Sequence, residues 1–140
     1  MQDYEIPRVG IGVMILKDQK VLLGKRKNAH GEGEYAFPGG HLDFMESFET
    51  CAKRETMEET GMEIEDIRFL FLGNIKKYGN KHYVQVGLIA KWKSGELMLM
   101  EPEKSEDWKW YDLDDLPHPM LEFCKMAIEA YKTGKNYFDS

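Results

Sequence analysis

Residues 48–60 carry the strongest structural signal in the sequence, because they contain neither glycine nor proline and are rich in good helix formers. Ser47 suits a helix N-cap, and Gly61 suits the position just past a helix C-terminus. At about 100° per residue, part of this predicted helix forms one arc of roughly 120°. The arc consists of Phe48, Cys51, Ala52, Glu55, Glu58 and Glu59. The arc therefore has an apolar start, which should face the core, and an acidic end on the same face.

The acidic end of this arc is unusual for a face that begins apolar. Spacings of three and four residues place the three carboxylates side by side. Ionised carboxylates that are crowded and buried repel one another and lose hydration. A divalent cation relieves both costs, and all-oxygen ligation favours Mg²⁺ or Mn²⁺ over Zn²⁺. A solvated acidic face is the alternative; composition alone favours neither, but the shared apolar face favours a metal.

The composition is that of a folded domain and argues against several classes of protein. Of the 140 residues, 42% are hydrophobic and 12% aromatic, which an acidic disordered chain would lack. This length predicts a single domain over residues 1–140. The net charge of −6 argues against stable nucleic-acid binding. No segment approaches the ~20 apolar residues of a membrane span, so we expect no membrane association.

The N-terminus and the cysteines predict a cytoplasmic location. Residues 1–7 contain Asp3 and Glu5 rather than a basic segment followed by an apolar one, so they do not resemble a secretory signal. Two cysteines, Cys51 and Cys124, are too few for a disulfide framework and fit a reducing compartment.

The remaining patterns predict strands around the helix. Apolar, β-branched or aromatic residues dominate segments 9–16, 21–26, 67–75, 82–92 and 107–111, with turns at 18–19 and 78–81. Glycines alternate with apolar residues in the first segment, which is typical of a buried strand that another group approaches closely. Segment 120–132 has the apolar spacing of an amphipathic helix. The fold class is therefore α/β or α+β with a mixed sheet.

One larger pattern unites the acidic residues. Gly40, Glu46 and residues 54–62 resemble the Nudix box, G-x5-E-x7-R-E-U-x-E-E-x-G-U, and match its seven fixed positions over twenty-three residues. Segments 24–27, 38–42, 82–84 and 101–104, with Trp108 and Trp110, are similar to the MutT-homologue branch of nucleoside triphosphate diphosphatases. The resemblance thus covers nearly the whole chain.

This resemblance implies a fold and a set of roles. The fold is the Nudix αβα sandwich, with the box as a loop–helix–loop against a mixed sheet and a C-terminal helix. The resemblance makes Glu55 and Glu59 the core metal ligands and Glu58 a third ligand or the base. It makes Arg54 and Glu46 a supporting pair and adds the carbonyl of Gly39 to the metal shell.

Two positions depart from the family pattern. Thr56 replaces the aliphatic residue of the box and can still pack through its methyl group. Met45 stands where many members have glycine before the glutamate. Glycine adopts positive φ at little cost and methionine does not, so we expect an altered loop before the helix.

The resemblance also indicates substrate contacts. Arg26 could reach a phosphate, although a solvated strand end is the alternative, and His41 looks like the family's phosphate-side histidine, although it could simply stabilise its turn. Four rings could stack on a base, with core packing as the alternative for each: Phe37, Tyr83, Trp108 and Trp110. Of these, Phe37 and Trp110 are the two predicted to contact it. Glu103, in the segment that matches a late acidic loop of the family, is a further candidate metal ligand or base.

The predicted function is Mg²⁺-dependent hydrolysis of nucleoside triphosphates, including oxidised or otherwise modified dGTP, to a monophosphate and pyrophosphate. The alternatives are another diphosphate substrate, such as a dinucleotide, a nucleotide sugar, capped RNA or a prenyl diphosphate, and a non-catalytic nucleotide-binding module. Such modules usually lose box carboxylates, whereas Glu46, Glu55, Glu58 and Glu59 are all present. The expected partner is a small nucleotide. The resemblance to the MutT-homologue branch also implies a homodimer.

Overall fold

The computed structural model describes residues 6–139, so Asp3 and Glu5 lie outside its described part. Eight strands and two helices occur there, and they are named in chain order. The strands are β1 Arg8–Lys17, β2 Lys20–Arg26, β3 Tyr35–Ala36, β4 Gly39–His41, β5 Glu63–Ile75, β6 Tyr83–Ser94, β7 Ser105–Asp112 and β8 Tyr137–Asp139. The helices are α1 Phe48–Thr60 and α2 Glu122–Thr133. Neither helix is long and apolar enough to cross a bilayer.

All eight strands belong to one mixed sheet, as the sequence predicts. Its main order is β3-β2-β1-β6-β5-β8; β1 runs parallel to β6, and β5 runs antiparallel to β6. Strand β1 has two partners along its other edge: β4 pairs with Gly10–Gly12, and β2 pairs with Leu16 and Lys17. This fork brings the short strand β4 into the middle of the sheet.

The two helices cover opposite faces of the sheet, which gives the expected αβα sandwich. One apolar cluster includes Cys51, Ala52, Ile11 and Val13, and the other is built around Cys124 and its neighbours on α2. Successive residues of a strand point to opposite faces, so β1 supplies side chains to both clusters. The sheet is consequently buried on both faces at its centre.

The glycines of β1 make room for side chains, as their alternation predicts. A Cβ on Gly12 would collide with the ring of Phe123 from α2, and one on Gly10 would collide with the Gln85 side chain of β6. The predicted close approach is therefore made by neighbouring elements of the fold itself.

Helix α1 has the predicted bounds, but its buried face differs from the predicted arc. The Ser47 side chain accepts a hydrogen bond from the Thr50 N–H at 3.0 Å, and Gly61 ends the helix at φ 75°. Phe48 is 47% exposed, so the prediction that it faces the core was wrong. The buried residues are Cys51, Ala52, Thr56 and Thr60. Thr56 and Thr60 therefore belong to the buried face of α1, although neither is part of the predicted arc.

The prediction for β5 began too late because this strand is irregular. Its register against β6 shifts between Glu65 and Arg68, and Asp66 has φ 54°. A bulge of this kind interrupts the alternation on which strand prediction depends. The predicted turn at 78–81 lies within a longer loop, and β3, β4 and β8 are too short to show any period.

Met45 adopts the backbone conformation that glycine would favour. Its φ is 66°, and its side chain is 86% exposed. Methionine therefore adopts the left-handed conformation itself, whereas we had expected it to alter the loop. Its side chain lies in solvent. A non-glycine residue in this region costs about 1–2 kcal/mol.

Thr56 offers a test of how α1 packs. Among the described residues, its Oγ1 is the buried side-chain oxygen without a hydrogen-bond partner. Thr56→Val should raise the free energy of unfolding by about 1 kcal/mol, because it replaces an unpaired hydroxyl with a methyl group of similar shape. Urea denaturation measures this change in the free energy of unfolding, provided that its slope against urea concentration is the same in both proteins.

The matched control is Thr60→Val on the next turn. The Thr60 Oγ1 donates to the Thr56 carbonyl at 2.6 Å and accepts from the Met62 N–H at 3.3 Å, so its loss should destabilise the protein. Equal destabilisation by both variants would contradict the unpaired state of Thr56.

Candidate active site

A cleft of about 490 Å³ opens beside strand β4. The fork of β1 determines its position, because β4 occupies the gap that β2 leaves free along β1. A Cβ on Gly39 would collide with the carbonyl oxygen of Ile11, so only glycine fits this pairing. Helix α1 contributes Glu55 and Glu59 to the cleft wall.

Three acids line the cleft: Asp43, which is paired with Arg54 at 3.3 Å, and the adjacent pair Glu55 and Glu59. Glu55 and Glu59 lie one helical turn apart, and the Gly39 N–H donates a hydrogen bond to the Glu59 Oε2 at 3.2 Å. A Cβ on Gly40 would collide with the Glu55 carboxylate, so this glycine allows the acid to lie against the backbone. Burial of Glu59, followed by its contact with Glu55, raises the pKa of Glu59 well above its usual value.

This pair fits a divalent cation. Two neighbouring carboxylates in a partly desolvated wall repel each other unless a positive charge or a shared proton lies between them. Their oxygen donors suit Mg²⁺ or Mn²⁺, and the peptide of Gly39 lies directly beside them. The structural observation that supports a metal here is therefore the crowding of these two acids.

Arg54 orients the acidic wall from behind. Its Nε and Nη2 donate to the two carboxylate oxygens of Glu46 at 2.7 and 3.0 Å, which is a bidentate pair. Its Nη1 donates to the Glu55 Oε1 at 2.8 Å. The hydrogen bonds from Arg54 lower the pKa of Glu46 to about 2, and the partnership raises the pKa of Arg54. The predicted supporting pair is present and connects directly to Glu55.

The third acid of the predicted set is placed differently. The Glu58 side chain is 50% exposed, lies 3.4 Å from the Arg54 Nη1 and does not line the cleft. Within residues 6–139, no three His, Cys, Asp or Glu side chains already stand at metal-ligand spacing. At about 100° per residue, Glu58 and Glu59 lie on opposite sides of Glu55 around the helix axis, and only the side that carries Glu59 faces the cleft.

Glu103 also lies away from the cleft lining, and a neighbouring acid is closer to the site. Glu103 is exposed and its backbone carbonyl accepts from the Asn28 side chain at 2.9 Å. Glu101 instead contributes to the raised pKa of Glu59. The same segment is attached to α1, since the Met100 N–H donates to the Glu59 carbonyl at 3.2 Å. The sequence shows Glu101 and Glu103 on either side of one proline, but it does not show which of the two lies closer to α1.

Three of the four predicted substrate residues line the cleft, namely Arg26, Phe37 and His41. Phe37 is only 4% exposed and meets Phe123 edge to face, so core packing accounts for most of its contacts. His41 places its Nε2 3.4 Å from the Tyr83 hydroxyl. Burial, and next the charge of Arg8, lower the pKa of His41.

Trp110, the fourth, does not line the cleft, and Trp108 does. Both rings point to the same face of β7, but Trp110 pairs with Leu22 and Trp108 with Gly24, which is nearer the cleft. Trp110 and Trp108 both pack against the apolar cluster of α1, and the Lys17 ammonium lies 5.7 Å from the Trp110 ring centroid. The strand register therefore corrects the choice between the two tryptophans.

Some cleft residues were not among the predicted site residues. His30 and Lys81 lie on loops, and Gln85 comes from β6, as does Tyr83, which the sequence had offered as a ring that could stack on a base. Loop residues have no period that would indicate which way they point, and β6 becomes a cleft wall only by pairing with β1.

A match to a protein family shows to which family this chain belongs. The NUDIX domain model matches residues 6–130. The chain belongs to the Nudix family. It is an enzyme of the pyrophosphohydrolase type, and α1 with its flanking loops is its Nudix box.

Similar proteins carry several names. The chain is 32% identical over 136 residues to the ADP-ribose pyrophosphatase of Methanocaldococcus jannaschii, covering 96% of this chain and 75% of that protein. It is also 30% identical to the NAD-capped RNA hydrolase NudC of Chromobacterium violaceum. That match runs over 112 residues and covers 79% of this chain but only 41% of that protein. The crystal structure of a MutT NUDIX hydrolase from Burkholderia pseudomallei is similar at TM-score 0.85 and 37% identity, over 90% of this chain and 98% of that one.

The Arg54–Glu46 pair predicts a pH dependence of stability. The pKa of Glu46 falls from 4.5 to about 2 on folding, so its ionised form stabilises the fold above pH 4.5 and this contribution is lost as the pH falls toward 2. The urea midpoint of Glu46→Gln should therefore lie below that of the wild-type Nudix protein at pH 7, and the difference should shrink between pH 4.5 and about 2.

Glu65→Gln is the control, because Glu65 is exposed and forms no ion pair within the described range. It should show a small difference at every pH. A Glu46→Gln difference that stays constant down to pH 2 would contradict the role of Arg54.

Proposed function

We propose that this Nudix enzyme hydrolyses nucleoside triphosphates to a nucleoside monophosphate and pyrophosphate, with Mg²⁺ held by Glu55 and Glu59. The observation that carries the proposal is the crowded pair of carboxylates in the wall of the cleft, one of them bonded to the Gly39 N–H. A polyanionic substrate approaches such a wall only with cations between them. Bound there, Mg²⁺ supplies charge for the phosphate oxygens and acidifies water.

The protein residues have distinct tasks in this reaction. Arg54 holds Glu55 in place through its 2.8 Å hydrogen bond. Water attacks one phosphorus, its oxygen forms a new bond there, and the bridging P–O bond breaks to release pyrophosphate. The proton of the water passes to a carboxylate, and Glu58 and Glu59 are the two candidates. Arg26 and His41 face the cleft and offer hydrogen bonds to phosphate oxygens.

ADP-ribose is the second candidate substrate. The supporting observation is the 32% identity to an ADP-ribose pyrophosphatase along 96% of this chain. The same attack at a diphosphate would then release two monophosphates, AMP and ribose 5-phosphate. The MutT similarity, at 37% identity, supports the triphosphate reading. Homodimer formation and a cytoplasmic location stay predictions from the sequence.

Product analysis tests the proposal. The protein is incubated with Mg²⁺ and a panel of nucleoside triphosphates, oxidised dGTP, ADP-ribose, dinucleotides and nucleotide sugars. Pyrophosphate released from one triphosphate at the highest kcat/KM supports the proposal. Two monophosphates from ADP-ribose support the second candidate. Tight nucleotide binding without turnover of any compound indicates a binding module instead.

Two substitutions on α1 test the acidic pair and separate the candidate proton acceptors. Glu59→Gln should lower kcat by at least about a hundredfold, because it removes a ligand charge. Glu58→Gln should lower it comparably if Glu58 accepts the proton, and much less if it does not. Steady-state kinetics with the best substrate measures both.

The control for this pair is Glu49→Gln, an exposed acid of the same helix that pairs with Lys53 at 3.5 Å. It should leave kcat unchanged. Near-normal turnover of Glu59→Gln would refute the metal-ligand assignment.

The two tryptophans of β7 test base contact. Trp108→Ala should raise KM by up to about tenfold and change kcat less, because ring stacking binds ground state and transition state alike. Trp108→Phe should restore most of the affinity. Trp110→Ala should lower the Tm while leaving KM unchanged, because its ring packs outside the cleft. Equal KM effects of the two alanine variants would contradict this distinction.

A further inference from the structure

A group of basic side chains also lines the cleft. Its members are Arg26, His30, His41, Lys81 and Lys104, of which Lys104 pairs with Glu101 at 3.6 Å. The Arg26 Nε donates to the His30 carbonyl at 2.9 Å, which attaches the strand end to the following loop. Arg26 and Lys81 form no ion pair with any acid between residues 6 and 139. Their charges are therefore available to a ligand in the cleft.

Aromatic stacking fixes the position of His30. Its ring centroid lies 5.2 Å from Tyr83 at 29° and 5.2 Å from Tyr78 at 55°. Tyr83 in turn lies 5.6 Å from His41. The series Tyr78–His30–Tyr83–His41 thus leads from the β5–β6 loop to β4, where the acidic pair begins.

Tyr78 attaches this series to the rest of the fold. Its hydroxyl donates to the Glu34 Oε1 at 3.1 Å and accepts the Glu122 N–H at 2.8 Å, at the start of α2. Glu122 also pairs with Lys77 at 3.1 Å. The two acids at the Tyr78 end of the series are therefore already engaged by Tyr78 and Lys77.

The environment of His30 suits an anion better than a base. Its ring is stacked on Tyr83 and tilted against Tyr78, so two neighbours already occupy its stacking surroundings. Neither ring nitrogen has a hydrogen-bond partner in the described part of the chain. Burial, and then the charges of Arg26, Lys81 and His41, lower the pKa of His30 to about 4, and no acid opposes them. An added anion would relieve this uncompensated field.

We propose that Arg26, His30 and Lys81 form an anion subsite that binds the phosphate group of the substrate lying beyond the two at the acidic pair. This inference rests on the proposed function and deepens it, because a nucleoside triphosphate has such a third phosphate and ADP-ribose has only two. His30 and Lys81 are then specificity-determining residues. Arg26 supplies a permanent positive charge and orients the His30 loop through its hydrogen bond to the His30 carbonyl.

Kinetics with paired substrates tests the specificity. Lys81→Gln and His30→Gln should each lower kcat/KM for a nucleoside triphosphate by about tenfold, the loss of one charge-assisted hydrogen bond. The same variants should change kcat/KM for ADP-ribose by less than about twofold. Lys76→Gln is the matched control, since Lys76 is exposed on the same loop and does not line the cleft. Equal losses on both substrates, or no loss on the triphosphate, would overturn the proposal.

A binding measurement separates this inference from the proposed function. The imidazole of His30 is titrated by NMR in the metal-free protein, with and without inorganic pyrophosphate as the probe. Bound pyrophosphate should raise the pKa of His30 from about 4 by at least about one unit, and Lys81→Gln should weaken the effect. An unmoved pKa of His30 at saturating pyrophosphate overturns the subsite even if triphosphates are hydrolysed. A raised pKa without any turnover supports the subsite and refutes the proposed function.

Discussion

The proximity of two carboxyl groups, those of Glu55 and Glu59, is the constraint to which the surrounding structure responds. The pair lies against two glycines of β4, which leave room that no side chain could share. Arg54 holds one acid from behind, and Glu46 holds Arg54 in a bidentate pair. Removing any of these supports would leave a buried carboxylate with fewer partners, which is costly. Under the proposed function, a cation would supply the missing positive charge and bind the phosphates of the substrate.

The fork of strand β1 places this acidic pair beside a cleft. Because β4 and β2 share one edge of β1, the glycine turn before α1 lies in the middle of the sheet rather than at its border. The loop between β5 and β6 and the start of α2 then close the other sides, connected through the Tyr78 hydroxyl. The cleft consequently has an acidic wall from one helix and a basic wall from loops and strand ends. A polyanion with a metal ion matches both walls.

Several site residues were predictable from the sequence because they lie on one regular element. Arg54, Glu55 and Glu59 follow from the bounds of α1, which its cap residues and the absence of glycine and proline determine. The same periodicity misplaced Glu58 and Phe48, since an arc on a helical wheel does not say where the sheet ends and solvent begins. Trp110 was predicted instead of Trp108 for a similar reason. Both rings lie on one face of β7, and only the pairing with β2 shows which of them is nearer the cleft.

The sequence by itself determined the mixed α and β elements, the two capped ends of α1 and the acidic set that identifies the family. It did so because these features depend on neighbours within a few residues, through helical spacing and capping. Only the tertiary structure decided that Glu101 rather than Glu103 acts on Glu59, and that His30, Tyr83 and Lys81 meet in one cleft wall. Those contacts join segments far apart in the chain, and strand register and loop path, which have no local signature, bring them together.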